Sequence, residues 1–427
     1  MKINTNSTYV GFIFIYCTLA IFEFYYINYI PFYYLNVLQV NRTELAFVQF
    51  FAYLFLFITP LTGFFYGKYI KKERNSKLLY YSSNIVLGSS FLIFLLCKDI
   101  LFLFGIFLFV YLFSVSMIRA VMIDLFLTIS KKSEKVKNNL LLIVKIARVS
   151  GFLGVSIFFT FNVFDIYSLK LWNYFFGFGW LLSVLFIIIN MVIIRKVKFL
   201  SHDDDKKEEE QTSMPVIRVS EKNIKFKNFH ILLLYVAYFL ASSDLLYSFL
   251  FSSWVENKFG TKSYIIYSSF FIIFIIGELI GGISAKKLCN NYSKIKIMFT
   301  VLFIYMILLV VLTSSSFPIF MLLMFLFYFL GSIASFAYTS LFADITSNKK
   351  HKTFKYQLFH TYYSIASFVF IPLGTLLSSF ITVETLILVS VFFFGLSGVL
   401  LFILILQLKQ TKKEVKLYVT QKQEILT

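Results

Sequence analysis

The sequence predicts an all-α membrane protein of twelve transmembrane helices, arranged as two six-helix bundles in parallel repeat. Three observations carry that prediction. The 427 residues are 59% hydrophobic and 21% aromatic, more apolar surface than a soluble fold hides. Twelve runs reach the roughly 20 apolar residues needed to cross a ~30 Å hydrocarbon core, a length that excludes membrane strands. The stretch Gly63 to Lys77 also returns 218 residues later, with Gly63, Gly67 and Lys68 becoming Gly281, Ala285 and Lys286, and Lys131-Lys132 becoming Lys349-Lys350. Such a repeat in an apolar chain marks a tandem duplication into two equivalent bundles.

Numbered 1 to 12, the spans lie at 9–34, 45–67, 78–97, 100–128, 139–162, 171–194, 229–253, 263–285, 294–314, 317–345, 357–380 and 385–408. They give an N-terminal bundle over 1–194, a charged cytoplasmic linker over 195–228, a C-terminal bundle over 229–408 and a cytoplasmic tail over 409–427.

The net charge of +19 invites a nucleic-acid reading, and its distribution argues against one. Thirty-two Lys and Arg fall on the side holding both termini. Five lie on the other side (Arg42, Lys98, Lys170, Lys258, Lys262), and three lie inside spans. This is the positive-inside pattern, which puts both termini in the cytoplasm of a cell (plasma or inner) membrane, beside anionic inner-leaflet lipids. With no basic soluble domain, nucleic acid is not expected as a partner. A small-molecule substrate, with or without protons, and a monomeric state are expected.

Span 1 is crowded with aromatics around Glu23 and Asn28, and its length and its Glu23 separate it from a signal-peptide core, so it is expected to be retained. The linker run Asp203 to Glu210 reads as solvated and without fixed structure, and the polar tail after Leu408 as having no fold of its own. Cys17, Cys97 and Cys289 have no metal or redox spacing and read as packing residues. His202 with its three following aspartates is a weak metal signal, and no metal or cofactor is expected.

An ionisable group in hydrocarbon costs several kcal/mol unless paired or hydrated, so each one inside a span is a functional candidate. Seven lie well inside the spans: Glu23 in span 1, Arg119 and Asp124 in span 4, Lys145 and Arg148 in span 5, Asp244 in span 7 and Glu278 in span 8. Spans 3, 6, 9 and 12 have none, as expected if those four face lipid and the other eight surround a cavity. Polar stripes at helical spacing repeat the pattern: Asp244, Tyr247, Ser248 and Ser252 on span 7; Ser332, Ser335 and Thr339 on span 10; His360, Ser364 and Ser367 on span 11. Each stripe also suits plain helix–helix hydrogen bonding. Lys145 and Arg148 share a face of span 5, with Arg148 ~14 Å from its start and so near mid-bilayer. A guanidinium there needs a carboxylate or substrate oxygens, and Asp124 and Glu278 are nearest by topology. The same residues are also compatible with a permanent ion pair tying spans 4, 5 and 8.

The twelve spans, the duplication and the loop Gly63-Phe-Phe-Tyr-Gly67-Lys68-Tyr-Ile-Lys71-Lys72 resemble the major facilitator superfamily. That family's loop carries an Asp where this chain has Gly67, and a second Gly where it has Ile70. Within the superfamily the chain is similar to the lactose permease branch of proton-coupled sugar symporters, over Tyr29–Lys77, Ala147–Gly154, Leu233–Ala285 and Leu322–Phe342. Arg148-Val149-Ser150-Gly151 resembles the branch's sugar-binding Arg region, Gly277-Glu278-Leu279 its Gly-Glu-Leu, and Asp244 its span 7 acid, while Asp124 lies about where its span 4 Glu stands. The branch's proton-coupling His-x-x-Glu is replaced by Leu323 to Leu326, and its basic partner on span 9 is missing.

The resemblance implies the major facilitator fold and a secondary transporter of a small polar organic solute, sugar- or glycoside-like, working by alternating access. Arg148, Glu278, Asp124, Lys145, Glu23 and Tyr26 are the binding candidates, with Asp124 orienting Arg148. Asp244, Glu278 and Glu23 are the proton-coupling candidates. Gly63, Lys68, Lys71, Lys72, Gly281 and Lys286 form the gating loops on the cytoplasmic side. Loss of the loop Asp in both copies predicts a weakly locked outward-facing state. An exporter of amphipathic, lipid-like or drug-like compounds is the alternative. A membrane-embedded enzyme on lipid-linked substrates stands behind it, for want of an acid/base or metal cluster at a membrane face.

Overall fold

The computed structural model describes residues 5–24, 30, 33–53, 59–70, 73–130, 133–161, 169–196, 228–248, 250–260, 263–347, 352–378 and 380–424. The described residues hold helices and no strand, as a backbone must when its hydrogen bonds are closed within each segment in lipid. In chain order these are α1 Thr5–Phe24, α2 Arg42–Tyr53, α3 Thr59–Phe65, α4 Glu73–Cys97, α5 Leu101–Ser130, α6 Glu134–Phe161 and α7 Leu169–Lys196. There follow α8 Asn228–Leu240, the single turn α9 Leu245–Ser248, α10 Phe251–Phe259, α11 Ser263–Asn291, α12 Lys294–Ser314, α13 Phe317–Thr346, α14 Lys352–Leu377 and α15 Val383–Glu424.

Among the described residues, seven helices are long and apolar enough by themselves to cross a membrane, so the chain is an integral membrane protein. They coincide with spans 3, 4, 6, 7, 9, 10 and 12 of the sequence. The other five spans fall on α1, on α2 and α3, on α6, on α11 and on α14. Span 2 is divided between α2 and α3, and α6 carries Lys145 and Arg148 in addition to its basic first turn.

The duplication is visible in the helix boundaries. Leu101 and Phe317 start α5 and α13, Glu134 and Lys352 start α6 and α14, and Leu169 and Val383 start α7 and α15, at offsets of 216, 218 and 214 residues. The halves meet along two seams, α6 against α11 and α13, and α14 against α2, α3 and α5. Since α14 repeats α6, the seams are two copies of one arrangement. Aromatic pairs line both: Phe152–Phe274 at 5.6 Å in the first, Phe50–Phe368 at 4.6 Å and Phe64–Phe354 at 6.0 Å in the second.

The repeated glycines do not sit in loops. Gly63 is inside α3, and a Cβ there would run into the Gln357 side chain of α14. Gly281 is in mid-α11, and its Cβ would meet the Phe329 carbonyl and, at 2.7 Å, Ser332 Cβ. Lys286 is likewise helical, because nothing from Ile283 to Leu288 breaks a helix, and α11 runs on to Asn291. Both glycines therefore set close helix approach, as small residues do in membrane bundles. Lys68 lies in a π-helical turn, Tyr66–Ile70, while Lys71 and Lys72 are outside the described residues. The tail differs from expectation too: α15 continues unbroken to Glu424, since Lys412 to Glu424 contains no Gly or Pro and hydropathy marks the membrane, not the end of a helix.

Candidate functional site

Five of the mid-membrane charges gather around α6. Arg148 donates through Nη2 to Glu23 Oε1 of α1 at 2.8 Å, and Arg119 of α5 lies 3.8 Å from Glu23 Oε2. One carboxylate thus draws three inner helices of the first half together. One turn away on α6, Lys145 donates to Glu278 Oε2 of α11 at 2.8 Å and to Ser332 Oγ of α13 at 2.8 Å, and the Ser332 hydroxyl donates to the Glu278 carbonyl oxygen at 2.8 Å. The first pair lies within a half and the second ties the two halves together.

The sequence named Asp124 and Glu278 as partners of Arg148, and the structure corrects both. Arg148 takes Glu23, Glu278 takes Lys145, and Asp124 lies elsewhere. The cause is the phase of each helix. Glu23 and Arg148 face each other because α1 packs against α6, whereas Asp124 sits near the end of α5 and looks across the α14 seam.

There Asp124 accepts from Thr353 Oγ1 at 3.0 Å and lies 3.6 Å from Lys352 Nζ, which also donates to Thr128 at 2.6 Å. At the matching point of the other seam, Asp344 of α13 accepts from Lys137 of α6 and from Lys294 of α12 at 2.6 Å, and Lys294 also reaches Glu134 at 3.0 Å. Asn138 adds Asn290 at 2.6 Å and accepts from Ser340 at 3.2 Å. These contacts gather at one end of the bundle, where α5, α11 and α13 finish and α6, α12 and α14 begin. At this basic end the halves are latched, and none of the latching residues except Asp124 was singled out from the sequence. The signal available was a charge at the first or last turn of an inner helix. The weak lock inferred from Gly67 and Ala285 is therefore not what the structure has, because other acids take the place of the missing loop aspartate.

Side-chain exposure separates the groups. Lys137 and Lys294 are sealed, at 2% and 4%, whereas the Arg148 side chain is 51% exposed. A guanidinium exposed at mid-span needs water or a polar solute around it, since hydrocarbon there costs about 2.5–3.5 kcal/mol. Its plane also lies over Phe152, 5.4 Å from the ring centroid.

Asp244 stands apart. Span 7 is broken by a turn at residues 241–244, and Asp244 lines a cavity with Tyr247, Ser248, Phe251, Phe327 and Tyr328. The predicted face of span 7 is thus brought together, with Ser252 outside the described side chains. On span 10, Ser332 binds Lys145 and Glu278 as above, while Thr339 donates to the Ser335 carbonyl. On span 11 the His360 and Ser364 side chains are outside the description, and Ser367 is buried. Tyr26 and the His202 run also lie outside the described residues. Cys17, Cys97 and Cys289 form no disulfide, the first donating to the Ala147 carbonyl at 2.9 Å, and among the described residues no His/Cys/Asp/Glu group is arranged to hold a metal.

No family model and no curated protein matches the chain by sequence. Solved structures do match. The E. coli fucose:proton symporter FucP is 13% identical, with 93% of this chain and 98% of that chain covered and a TM-score of 0.55. The human organic anion transporter MFSD10 is 12% identical, covering 92% and 98%, with a TM-score of 0.60. A bacterial homologue of the iron transporter ferroportin, in its outward-facing state, is 14% identical, covering 95% and 99%, with a TM-score of 0.62. The fold over nearly the whole chain is that of major facilitator superfamily transporters.

Proposed function

We propose that this chain, built on the major facilitator fold, is a secondary transporter that moves a small polar organic solute, sugar- or glycoside-like, by alternating access of two six-helix halves. Both termini and the latched basic end face the cytoplasm in this reading, so the conformation described opens outward. The 32-to-five bias of basic residues supports that orientation. Outward conformations of FucP and of the ferroportin homologue are among the structures it resembles.

The observation that carries the reading is the half-exposed Arg148 held by Glu23 in mid-span. A hydroxylated ring presents donors and acceptors together, so its hydroxyls accept from Arg148 and Arg119 and donate to Glu23. Hydrogen bonds to charged groups of this kind contribute about 1.5–3 kcal/mol each. One turn along α6, Lys145 and Glu278 join the halves, so the solute binds beside a contact that must break before the basic end opens. A proton on Glu278 would remove the charge that Lys145 answers and loosen α6 from α11. That makes Glu278 the proposed coupling acid among Glu23, Asp244 and Glu278. The chain works as a monomer in the bilayer, with anionic lipids at its basic end, and carries out transport without bond-making chemistry.

The cargo named for the neighbours ranges from fucose to organic anions and iron, so the fold does not select the substrate. Uptake of labelled sugars and glycosides into reconstituted vesicles does. Arg148→Ala and Glu278→Ala are each expected to abolish it, and unimpaired uptake in both removes the assignment.

A further inference from the structure

Of the in-span acids that the sequence singles out, Glu23, Asp124 and Glu278 each hold a cation, whereas Asp244 makes no ion pair among the described residues. It sits at a break built into span 7. The chain leaves α8 at Leu240 and turns through i to i−3 hydrogen bonds from Ser242 to Phe239 and Ser243 to Leu240 before the single turn α9. The break is fixed in place. Ser243 donates to the Ser390 carbonyl of α15 at 3.2 Å, and Ser390 returns the bond to the Ser243 carbonyl at 2.8 Å.

Beside this carboxylate is a cavity of about 150 Å³, with Tyr247, Phe251, Phe327 and Tyr328 among its lining residues and Ser248 exposed at its edge. The rings of Tyr247 and Phe251 are 5.9 Å apart and those of Phe327 and Tyr328 6.0 Å. The Tyr247 hydroxyl is buried and has no hydrogen-bond partner among the described residues. Leu309, Leu312 and Met324 complete the wall.

We propose that this cavity is a second ligand site, which takes a small organic ammonium ion. The charge of such a ligand faces Asp244, its methyl or methylene groups lie against the four rings, and a hydroxyl, where it has one, finds the Tyr247 oxygen. A cation over aromatic faces is attracted by the negative ring faces, most when it is desolvated. A hard inorganic cation would need a shell of oxygens that one carboxylate and three hydroxyls do not supply. An anion is repelled by Asp244. The size also fits, since a cavity of roughly 150 Å³ holds about six heavy atoms, as in benzene. The site uses none of the residues assigned to the sugar-like solute, so the two proposals stand or fall separately.

Thermal-shift and calorimetric titration of the purified full-length protein test it, at constant ionic strength. The probes are choline and tetramethylammonium, against sodium, lithium and the uncharged carbon analogue 3,3-dimethylbutanol. Choline and tetramethylammonium are expected to stabilise the protein and the other three to have no effect. Asp244→Asn is expected to abolish the response, and Tyr328→Leu to weaken binding about fivefold, the equivalent of ~1 kcal/mol. An equal response to 3,3-dimethylbutanol, a response carried by sodium alone, or a response that survives Asp244→Asn overturns the proposal. If Asp244→Asn does not fold, Phe327→Leu decides: severalfold weaker choline binding supports the site, and unchanged binding refutes it.

Discussion

At the α5–α14 seam, Asp124 faces Lys352 at 3.6 Å and Thr353 at 3.0 Å, a pairing of one acid with one base among the described residues. At the α13–α6 seam, Asp344 holds both Lys137 and Lys294, and Glu134 answers Lys294 from the other side. Each half carries an acid near the end of its fourth span that faces a lysine near the start of the other half's fifth span. The residues are not repeat equivalents, and the surroundings differ. The 218-residue equivalent of Lys294 is Ser76, which bonds to the Tyr66 hydroxyl at 3.0 Å, and the equivalent of Lys352 is Glu134. Among the described residues the ion-paired acids and bases of each seam nevertheless balance, by different routes. The comparison teaches that a latch in low dielectric is constrained to local neutrality and not to particular residues, because an unanswered buried charge costs more than any one pairing gains.

The comparison can be broken most sharply at Asp344. Asp344→Asn leaves two buried lysines with only Glu134 between them, a change expected to destabilise the latched state by about 3–5 kcal/mol. Lys352→Met is expected to cost less, about 1–3 kcal/mol, because Asp124 keeps Thr353 and lies at a less sealed point. The rate of thiol modification at Ser340→Cys, buried in the latch, measures both. Equal acceleration by the two variants would show that the extra pair at Asp344 adds nothing. A smaller step comes from Asn138→Ala, which in that background removes the hydrogen bond to Asn290 and is expected to raise the rate by an amount equivalent to about 0.5–1.5 kcal/mol, read in the same assay.

The smallest effect is at the opposite end, where Tyr33 donates to Asp99 at 2.6 Å and Lys98 reaches it at 3.2 Å. The Tyr33 hydroxyl, more than Lys98, holds the Asp99 carboxyl below its ordinary 3.8. With the folded value below the unfolded one, the stabilisation is present above that ordinary value and is lost as pH falls below it. Since the Asp99 side chain is 63% exposed, solvent screening limits the contribution to under about 1 kcal/mol. Melting temperatures of the wild type and Asp99→Asn should therefore differ slightly at neutral pH and converge in acid. A gap that widens in acid would refute the assignment.

The sequence by itself determined that the chain is apolar enough to live in a membrane, where its long spans fall, that it is a duplication, and which few spans carry charge. Each of these is a property of residues within 20 or 30 positions of one another, where hydropathy and helical period act, or of a repeat written directly in the letters. Only the tertiary structure decided which acid meets which base. Glu23 with Arg148, Lys145 with Glu278 and Lys137 with Asp344 are joined across more than 120 residues. One residue of helix rotation, ~100°, moves a side chain from one neighbour to the next. That rotation is set by how α1, α6, α11 and α14 pack, through contacts such as Gly281 on Phe329 and Ser332 that have meaning only once the helices lie side by side. The break of span 7 at Asp244 belongs to the same class, because its turn is held by Ser390, 147 residues away.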